Sequence, residues 1–443
     1  MQKVKGTRDF YGLDLLQRNY IISLLRDTYE KYNFEQLETP AFEYISLLKN
    51  VYGNENEKLL YKILNSGDCF QNVDLTTFNS QQIIDTISEK CLRYDLTLPL
   101  IRYVSENKNK IIFPFKRYQI QPVWRADKPQ KGRFREFYQC DVDIIGSDSI
   151  LCEVELIQLI QNLLERLNIK EYTIKLNHRG ILTDFCQLLS IENKFSDFCC
   201  LIDKIDKIGL EKFYEEIKIF NINKEKMALM QNILTTDLGN GEYLYFLKDI
   251  FLKNKISTKN IEEIEMFLDK IKLLKVKNKN IKIDFSLARG LNYYTGIIFE
   301  ACVKNINIGS IIGGGRYDYF AKKLNIPELK GVGFSIGLDR LLVALNELGI
   351  LKNQDEKTKI LFINKDDDFD FEVIENLRRE YAIEIYFDKN DDIKKQLKYA
   401  DKKHFNYVVF YDSEKYIVKN MLTGELVETK KNNICHLISQ FIF

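Results

Sequence analysis

The chain has 443 residues, of which 45% are hydrophobic, 29% charged and 12% aromatic, and 65 Lys plus Arg stand against 64 Asp plus Glu. This profile excludes a disordered chain, and no apolar run reaches the roughly 20 residues that cross a bilayer. A net charge of +1 excludes bulk attraction to a polyanion, so a nucleic acid would be held by local basic patches.

At roughly 100 to 200 residues per domain, two to four domains are expected. The nine cysteines (69, 91, 140, 152, 186, 199, 200, 302 and 435) form no C-x-x-C pair, and His178, His404 and His436 lie far apart. Reduced thiols and no structural zinc are expected from that spacing. The opening MQKVKGTRDF carries no apolar export segment, which predicts a cytoplasmic protein.

Apolar spacing at Leu15, Leu16, Tyr20, Leu24, Leu25 and Tyr29 predicts a helix over 12–33, after which NFEQLETPAFEY turns at Pro40 into a short strand and helix. In YDLTLPLIRY, Asp95 and Thr97 either cap the following helix or offer a carboxylate and a hydroxyl to an ammonium group. From Phe113 to Gly146 the pattern has period two and is broken by DKPQKGR, which predicts a hairpin of two long strands.

Parity groups Arg117, Gln119, Gln121 and Arg125 on the first strand of that hairpin, and Arg133, Arg135, Gln139, Asp141 and Asp143 on the second. Phe134, Tyr138, Cys140, Val142 and Ile144 fall mostly on the opposite face. One polar strand face can simply be solvated, but two adjacent ones holding arginines favour the floor of a polar cleft.

SILCEVELIQLIQNLLERLNI then predicts an amphipathic helix, YTIKLNH a strand, and residues 180–278 an all-helical insertion. Strand character returns in IKIDFSLARGLNYYTGIIFEACV, where Arg289 has no acidic neighbour in sequence and alternation sends Tyr293 and Tyr294 to opposite faces. GGGRYD, Gly313–Asp318, lets a backbone approach something closely, yet it fits neither glycine-rich phosphate pattern.

In GVGFSIGLDRLL a strand runs into a helix whose buried stripe is Leu338, Leu341, Leu342 and Leu345. Arg340 sits in its first turn, where the helix dipole opposes a cation unless an anion, either Asp339 or a bound phosphate, is present. A charged linker at 351–359 precedes ILFIN, EIYFD and YVVFY, which alternate with helical stretches in the rhythm of a small parallel or mixed sheet.

Taken together, these stretches resemble the class II aminoacyl-tRNA synthetases, and specifically the histidyl-tRNA synthetases. NFEQLETPAFEY is similar to their motif 1, VWRADKPQKGRFREFYQCDVDIIG to motif 2 and GVGFSIGLDRLL to motif 3, while LARGLNYYTG and GGGRYD resemble the two histidine-specific signatures. The resemblance implies an α+β fold with an antiparallel-sheet catalytic domain over 1–350, interrupted by the helical insertion at 180–278. A C-terminal α/β anticodon-binding domain at 360–443 would follow the 351–359 linker.

The implied substrates are L-histidine, ATP with magnesium on its triphosphate, and tRNA(His), handled by a homodimer joined through motif 1 with no membrane partner and no structural metal. Arg125 would grip the α-phosphate, Arg289 would add a second guanidinium there beside the histidine, and Arg340 would hold the γ-phosphate. Arg133 would face ATP, with Gln130 and Lys131 of the motif 2 loop turned toward the tRNA acceptor end. Asp95 and Thr97 would take the α-ammonium, Gln139 the carboxylate region, and Asp143 with Tyr294 the two imidazole nitrogens, with Tyr317 closing the pocket and Tyr293 at its wall. A site that pairs both ring nitrogens rejects isosteres that would leave its own buried groups unpaired. Two competing expectations are a catalytically silent histidine sensor of the ATP phosphoribosyltransferase regulatory type, and a tRNA sensor that would normally be fused to a kinase, whose motifs are absent from the sequence.

Overall fold

The computed structural model describes all residues except 53–55, 72, 74–75, 290–292, 319, 321–328, 354–357, 364–369, 389–391, 413–414 and 443. The chain forms two compact units, Met1–Lys352 and Asn353–Phe443. Four residues of the stretch read as a linker, 354–357, lie outside the described residues.

The first unit begins with α1 (Leu13–Lys31), β1 (Glu35–Gln36), β2 (Phe42–Tyr44), α2 (Ile45–Tyr52), β3 (Lys62–Ile63), α3 (Ser80–Ile87), β4 (Lys90–Leu92) and α4 (Thr97–Glu106). The hairpin follows as β5 (Phe115–Trp124) and β6 (Glu136–Ile145), then α5 (Leu151–Arg166) and β7 (Tyr172–His178). Six helices come next: α6 (Arg179–Leu189), α7 (Phe195–Ile202), α8 (Ile205–Glu216), α9 (Lys224–Thr235), α10 (Asn240–Lys253) and α11 (Lys259–Leu273). The unit closes with β8 (Ile281–Ile283), β9 (Ile297–Val303), β10 (Ser310–Arg316), β11 (Gly331–Gly337) and α12 (Leu338–Glu347).

Eight strands form one sheet in the order β1-β5-β6-β11-β10-β9-β7-β8, antiparallel through its middle and parallel only where β1 joins β5 and β8 joins β7. One face of that sheet is covered. α1 buries Ile21, Leu25 and Tyr29, a four-residue spacing that puts all three on one side of the helix. α5 buries residues on nearly every side, including Leu156, Ile157, Leu159, Ile160, Leu163 and Leu164, so it is a core helix. These side chains pack with Tyr118, Ile120, Cys140, Val142 and Ile144 from the hairpin and with Leu341 and Leu345 of α12 in one hydrophobic core.

The second unit contains β12 (Lys359–Ile363), α13 (Phe371–Arg378), β13 (Ala382–Ile385), α14 (Ile393–Lys402), β14 (Tyr407–Asp412), β15 (Lys415–Asn420), β16 (Leu426–Thr429) and α15 (Ile434–Ile442). Its sheet runs β13-β12-β14-β15-β16, parallel in the first three strands and antiparallel in the rest. Among the described residues, no helix in either unit is long and apolar enough to cross a membrane. The thiols of Cys91, Cys140, Cys152, Cys186 and Cys199 are free and buried, Cys69 and Cys302 are half-buried, and Cys200 is exposed; the Cys435 side chain lies outside the described residues.

Two expectations fail here. Arg133 and Arg135 are not on the second strand with Gln139, because β6 begins at Glu136 and both arginines belong to the connecting loop. IKIDFSLARGLNYYTGIIFEACV is not one strand either: β8 ends at Ile283 and β9 starts at Ile297. Between them Arg289 takes a left-handed φ of 56°, which a strand cannot accommodate.

Candidate active site

The register of the sheet assembles a polar floor from residues far apart in sequence. Gln119 of β5 stands opposite Asp141 of β6, Asp141 opposite Ser335 of β11, Ser335 opposite Gly313 of β10, and Gly313 opposite Glu300 of β9. The neighbouring row runs Arg117, Asp143, Gly333, Gly315. Over these rows lies a cavity of about 250 Å³.

Arg117 is fully buried, and its guanidinium lies 2.9 Å from Asp143 Oδ2. Tyr317 donates its hydroxyl to Asp143 Oδ1, and the buried tyrosine is held well above its usual titration range by burial and then by that carboxylate. Gly333 makes room for the pair, since a Cβ there would come within 2.1 Å of Asp143 Oδ1. Beside it Asp141 is pushed up to about 7 by burial, against the pull of Arg117. Gln139 donates to Ser335 Oγ at 2.8 Å and accepts from Arg125 Nη2 at 3.5 Å.

Four guanidinium groups, from Arg125, Arg133, Arg289 and Arg340, also border the cavity. Arg125 donates through Nε to the Tyr94 carbonyl at 2.9 Å and lies 4.2 Å from the centroid of that ring. Arg133 pairs with Asp127 at 2.9 Å, and Arg340 Nη1 donates to the Ser310 carbonyl at 3.0 Å. The Arg340 guanidinium is depressed first by burial and then by the charges of Arg133, Arg125 and Arg289. Like charges converging on one cavity wall repel one another until an anion joins them, so this end of the cavity suits a phosphate chain.

Arg289 has the acidic partner that its sequence neighbourhood lacks. Its Nη1 lies 2.5 Å from Glu300 Oε1, eleven residues downstream and on the strand next to Gly313. The guanidinium lies against Gly313, where a Cβ would meet Nη1 at 1.9 Å. Burial opposes its charge, yet Tyr294 and Glu300 outweigh burial and raise it further. The glycine run GGGRYD therefore admits an arginine side chain, and this arginine stands both in an ion pair and at the cavity wall.

The remaining sequence-predicted residues divide clearly. Asp95 and Thr97 line the cavity, and Asp95 Oδ1, one residue before the Leu96 N-cap, also accepts from the Leu98 amide in the first turn of α4 at 3.2 Å. Tyr293 and Tyr294 were expected on opposite faces of a strand, but both line the cavity with ring centroids 4.6 Å apart. They lie outside any strand, so the two-residue alternation does not govern them. The stretch just before them, including Asn292, lies outside the described residues.

Asp339 is not the counter-anion of Arg340: its Oδ1 takes a hydrogen bond from Arg8, and its Oδ2 accepts from the Tyr138 amide at 3.1 Å. Gln130 and Lys131 do not reach the cavity; Gln130 exchanges backbone hydrogen bonds with Arg133 at 3.1 and 2.9 Å, and exposed Lys131 pairs with Glu347. Sequence reasoning missed Glu300 and Ser335 as parts of the site, because only the cross-strand register joins them to Arg117, Asp141 and Gly313. Among the described residues no group of three or more His, Cys, Asp or Glu side chains is gathered as a metal-binding cluster.

The sequence pattern of the family described as histidyl-tRNA synthetase matches residues 74–341. A protein named histidine--tRNA ligase from Azobacteroides pseudotrichonymphae is 45% identical over 433 residues, covering 96% of this chain and 94% of that protein. The crystal structure of histidyl-tRNA synthetase from Nostoc sp. PCC 7120 superposes with a TM-score of 0.77 at 28% identity, covering 99% of both chains. An ATP phosphoribosyltransferase regulatory subunit/histidyl-tRNA synthetase from Bacillus halodurans C shares the fold at a TM-score of 0.71 and 20% identity, covering 92% of this chain and 97% of that one. By the pattern match and by identity that extends through both units, the chain belongs to the histidyl-tRNA synthetase family.

Proposed function

We propose that this cavity joins L-histidine to ATP as histidyl-adenylate and then passes the histidyl group to the 3' end of tRNA(His). The observation that carries the reading is the polarity of one cavity, with four guanidinium groups on its wall and the buried carboxylates of Asp95, Asp141 and Asp143 on its floor. A triphosphate suits the first, and an amino acid bearing an ammonium and an imidazole N–H suits the second.

In the first step a histidine carboxylate oxygen attacks the α-phosphorus and the bond to the pyrophosphate oxygen breaks, with the electron pair leaving on pyrophosphate. Negative charge grows on the non-bridging α-oxygens. Arg125 and Arg289 are the cations for that charge, and preorganised donors at such a position are worth several kcal/mol. Arg340 and Arg133 face the outer phosphates, and magnesium enters bound to the triphosphate as part of the substrate. Asp95 and Thr97 take the ammonium, Gln139 orients the carboxylate, and Asp143, with Tyr317 and Arg117 fixing its carboxylate, receives the imidazole N–H while Tyr294 lies against the ring.

In the second step the terminal ribose hydroxyl of the tRNA attacks the histidyl carbonyl, and AMP leaves. Gln130 and Lys131, exposed on the hairpin loop, are assigned to the acceptor end, and the second unit to the anticodon region. Exposed Phe42 and Tyr44 on β2, within the motif 1 stretch, are read as part of the surface that joins two copies in the cytoplasm. The silent-sensor reading is less well supported, because the arginine and tyrosine signatures stand together at the cavity and the named ligase aligns across the second unit as well.

The test is ATP–pyrophosphate exchange by the purified full chain with each amino acid in turn. Exchange that depends on histidine alone is expected; no exchange from folded protein would move the assignment to the sensor reading.

A further inference from the structure

The segment that carries Arg289 has no regular secondary structure, so its backbone groups must find partners elsewhere. They find them in three side chains from outside the segment. Asn177, near the end of β7, donates from Nδ2 to the carbonyls of Phe285 at 3.0 Å and Leu287 at 2.9 Å. Arg179, the first residue of α6, donates to the Ala288 carbonyl at 2.7 Å. Asp203, which follows α7, accepts from the Arg289 amide through Oδ1 at 3.0 Å.

The last of these contacts falls on the residue that needs it most. Arg289 has a φ of 56°, and a residue with a Cβ persists in the left-handed region only where its surroundings over-determine it. The side chain leaves that backbone toward Gly313, where it meets Glu300. Asp203 thus fixes the root of the arginine, and Glu300 fixes its tip. Burial raises the Asp203 carboxyl, with Glu300 adding to the rise, so the carboxylate is kept at this place against its own solvation.

We propose that Asp203, contributed by the helical stretch between β7 and β8, is a positioning residue that aims Arg289 across Gly313 into the cavity. The inference rests on the proposed role of Arg289 in adenylate formation. It assigns to the helical stretch a part in the first chemical step, apart from any contact with tRNA.

Asp203→Ala and Asp203→Asn in the full chain separate the possibilities, since asparagine keeps an Oδ1 acceptor and alanine does not. In histidine-dependent exchange, Asp203→Ala is expected to lower kcat by about tenfold or more, the worth of one hydrogen bond at a reacting centre, with KM for ATP changed far less. Asp203→Asn should recover most of that rate, and Asp203→Ala should add nothing further in an Arg289→Ala background. An equal loss in both backgrounds, or loss of folded protein in Asp203→Ala, would overturn the proposal in favour of a general structural role.

Amide hydrogen exchange provides a readout that does not depend on catalysis. The Arg289 amide should exchange faster in Asp203→Ala and as in the parent in Asp203→Asn, and an unchanged rate in alanine overturns the inference. If the parent chain shows no pyrophosphate exchange while the amide result holds, the assigned reaction fails and the positioning role of Asp203 stands.

Discussion

The two large sheets of this chain use strand alternation in opposite ways. In the second unit, Ile360 and Phe362 of β12 pack against Val373, Ile374 and Leu377 of α13, while Leu361 and Ile363 pack on the other face with Ala400 of α14. In the first unit, β6 sends Cys140, Val142 and Ile144 into the core and turns Gln139, Asp141 and Asp143 to the cavity. Both rows of each strand are buried, so burial alone does not tell a core from a site. The energetic sign does. An apolar row gains roughly 25 cal/mol per Å² removed from water, whereas a buried charged row loses hydration and persists only where partners stand ready. A sheet face that buries Arg117, Asp141 and Asp143 takes on that cost, and β12 carries no such charge at the same depth.

Four substitutions test that contrast, and a surface change serves as their control. Arg289→Ala should cost about 10³-fold in histidine-dependent pyrophosphate exchange while thermal unfolding stays near that of the parent. A loss within about threefold, less than roughly 1 kcal/mol, would remove Arg289 from the chemistry. Gly313→Ala comes next. Its Cβ would strike the end of the Arg289 side chain, not backbone, so the fold should survive while misplacement of the guanidinium costs about 10²-fold in the same assay. Retained exchange with an alanine at 313 would mean that the arginine works equally well off the sheet.

Asp141→Asn probes the buried floor through pH. Asp141 is raised to about 7 in the folded protein, while an unfolded-chain aspartate titrates near ~3.9. The folded state therefore binds the proton more tightly, and that contribution to stability is present below pH ~4 and lost as pH rises through about 7. The asparagine variant should be the more stable protein at pH 8, with the difference shrinking toward pH 4 in chemical denaturation. A difference independent of pH would show that Asp141 is not buried as a strained acid.

Ile360→Val in the second unit removes one methylene from an apolar row and should cost about 1 kcal/mol in chemical denaturation, with pyrophosphate exchange unchanged. A fall in exchange would break the contrast between the sheets. Lys253→Ala on α10 loses only an exposed pair with Asp249 and should move stability by less than roughly 1 kcal/mol, with no effect on exchange.

The polar face of the hairpin was legible in the sequence because period-two alternation is a local property of each strand, and Gln139, Asp141 and Asp143 of β6 line the cavity together as that alternation requires. Its ends were not legible, since where a strand stops depends on loop geometry; Arg125, Arg133 and Arg135 fall beyond the ends. Asp95, which the sequence offers either to the following helix or to an ammonium group, accepts from an amide in the first turn of α4 and also lines the cavity. Tyr293 and Tyr294 were misplaced because a left-handed residue upstream breaks the strand whose parity would have separated them.

By itself the sequence determined the order of motifs, the family and the polar face of the hairpin, and it singled out the four arginines that border the cavity. Only the tertiary structure decided what holds those arginines in place. Glu300 reaches Arg289 because β9 lies beside β10, and Asp203 reaches it across 86 residues because α7 packs beside the break between β8 and β9. Such partners carry no local sequence signal: their pairing is set by sheet register and helix packing, and a carboxylate reads the same in sequence whether it faces water or holds an arginine at the cavity wall.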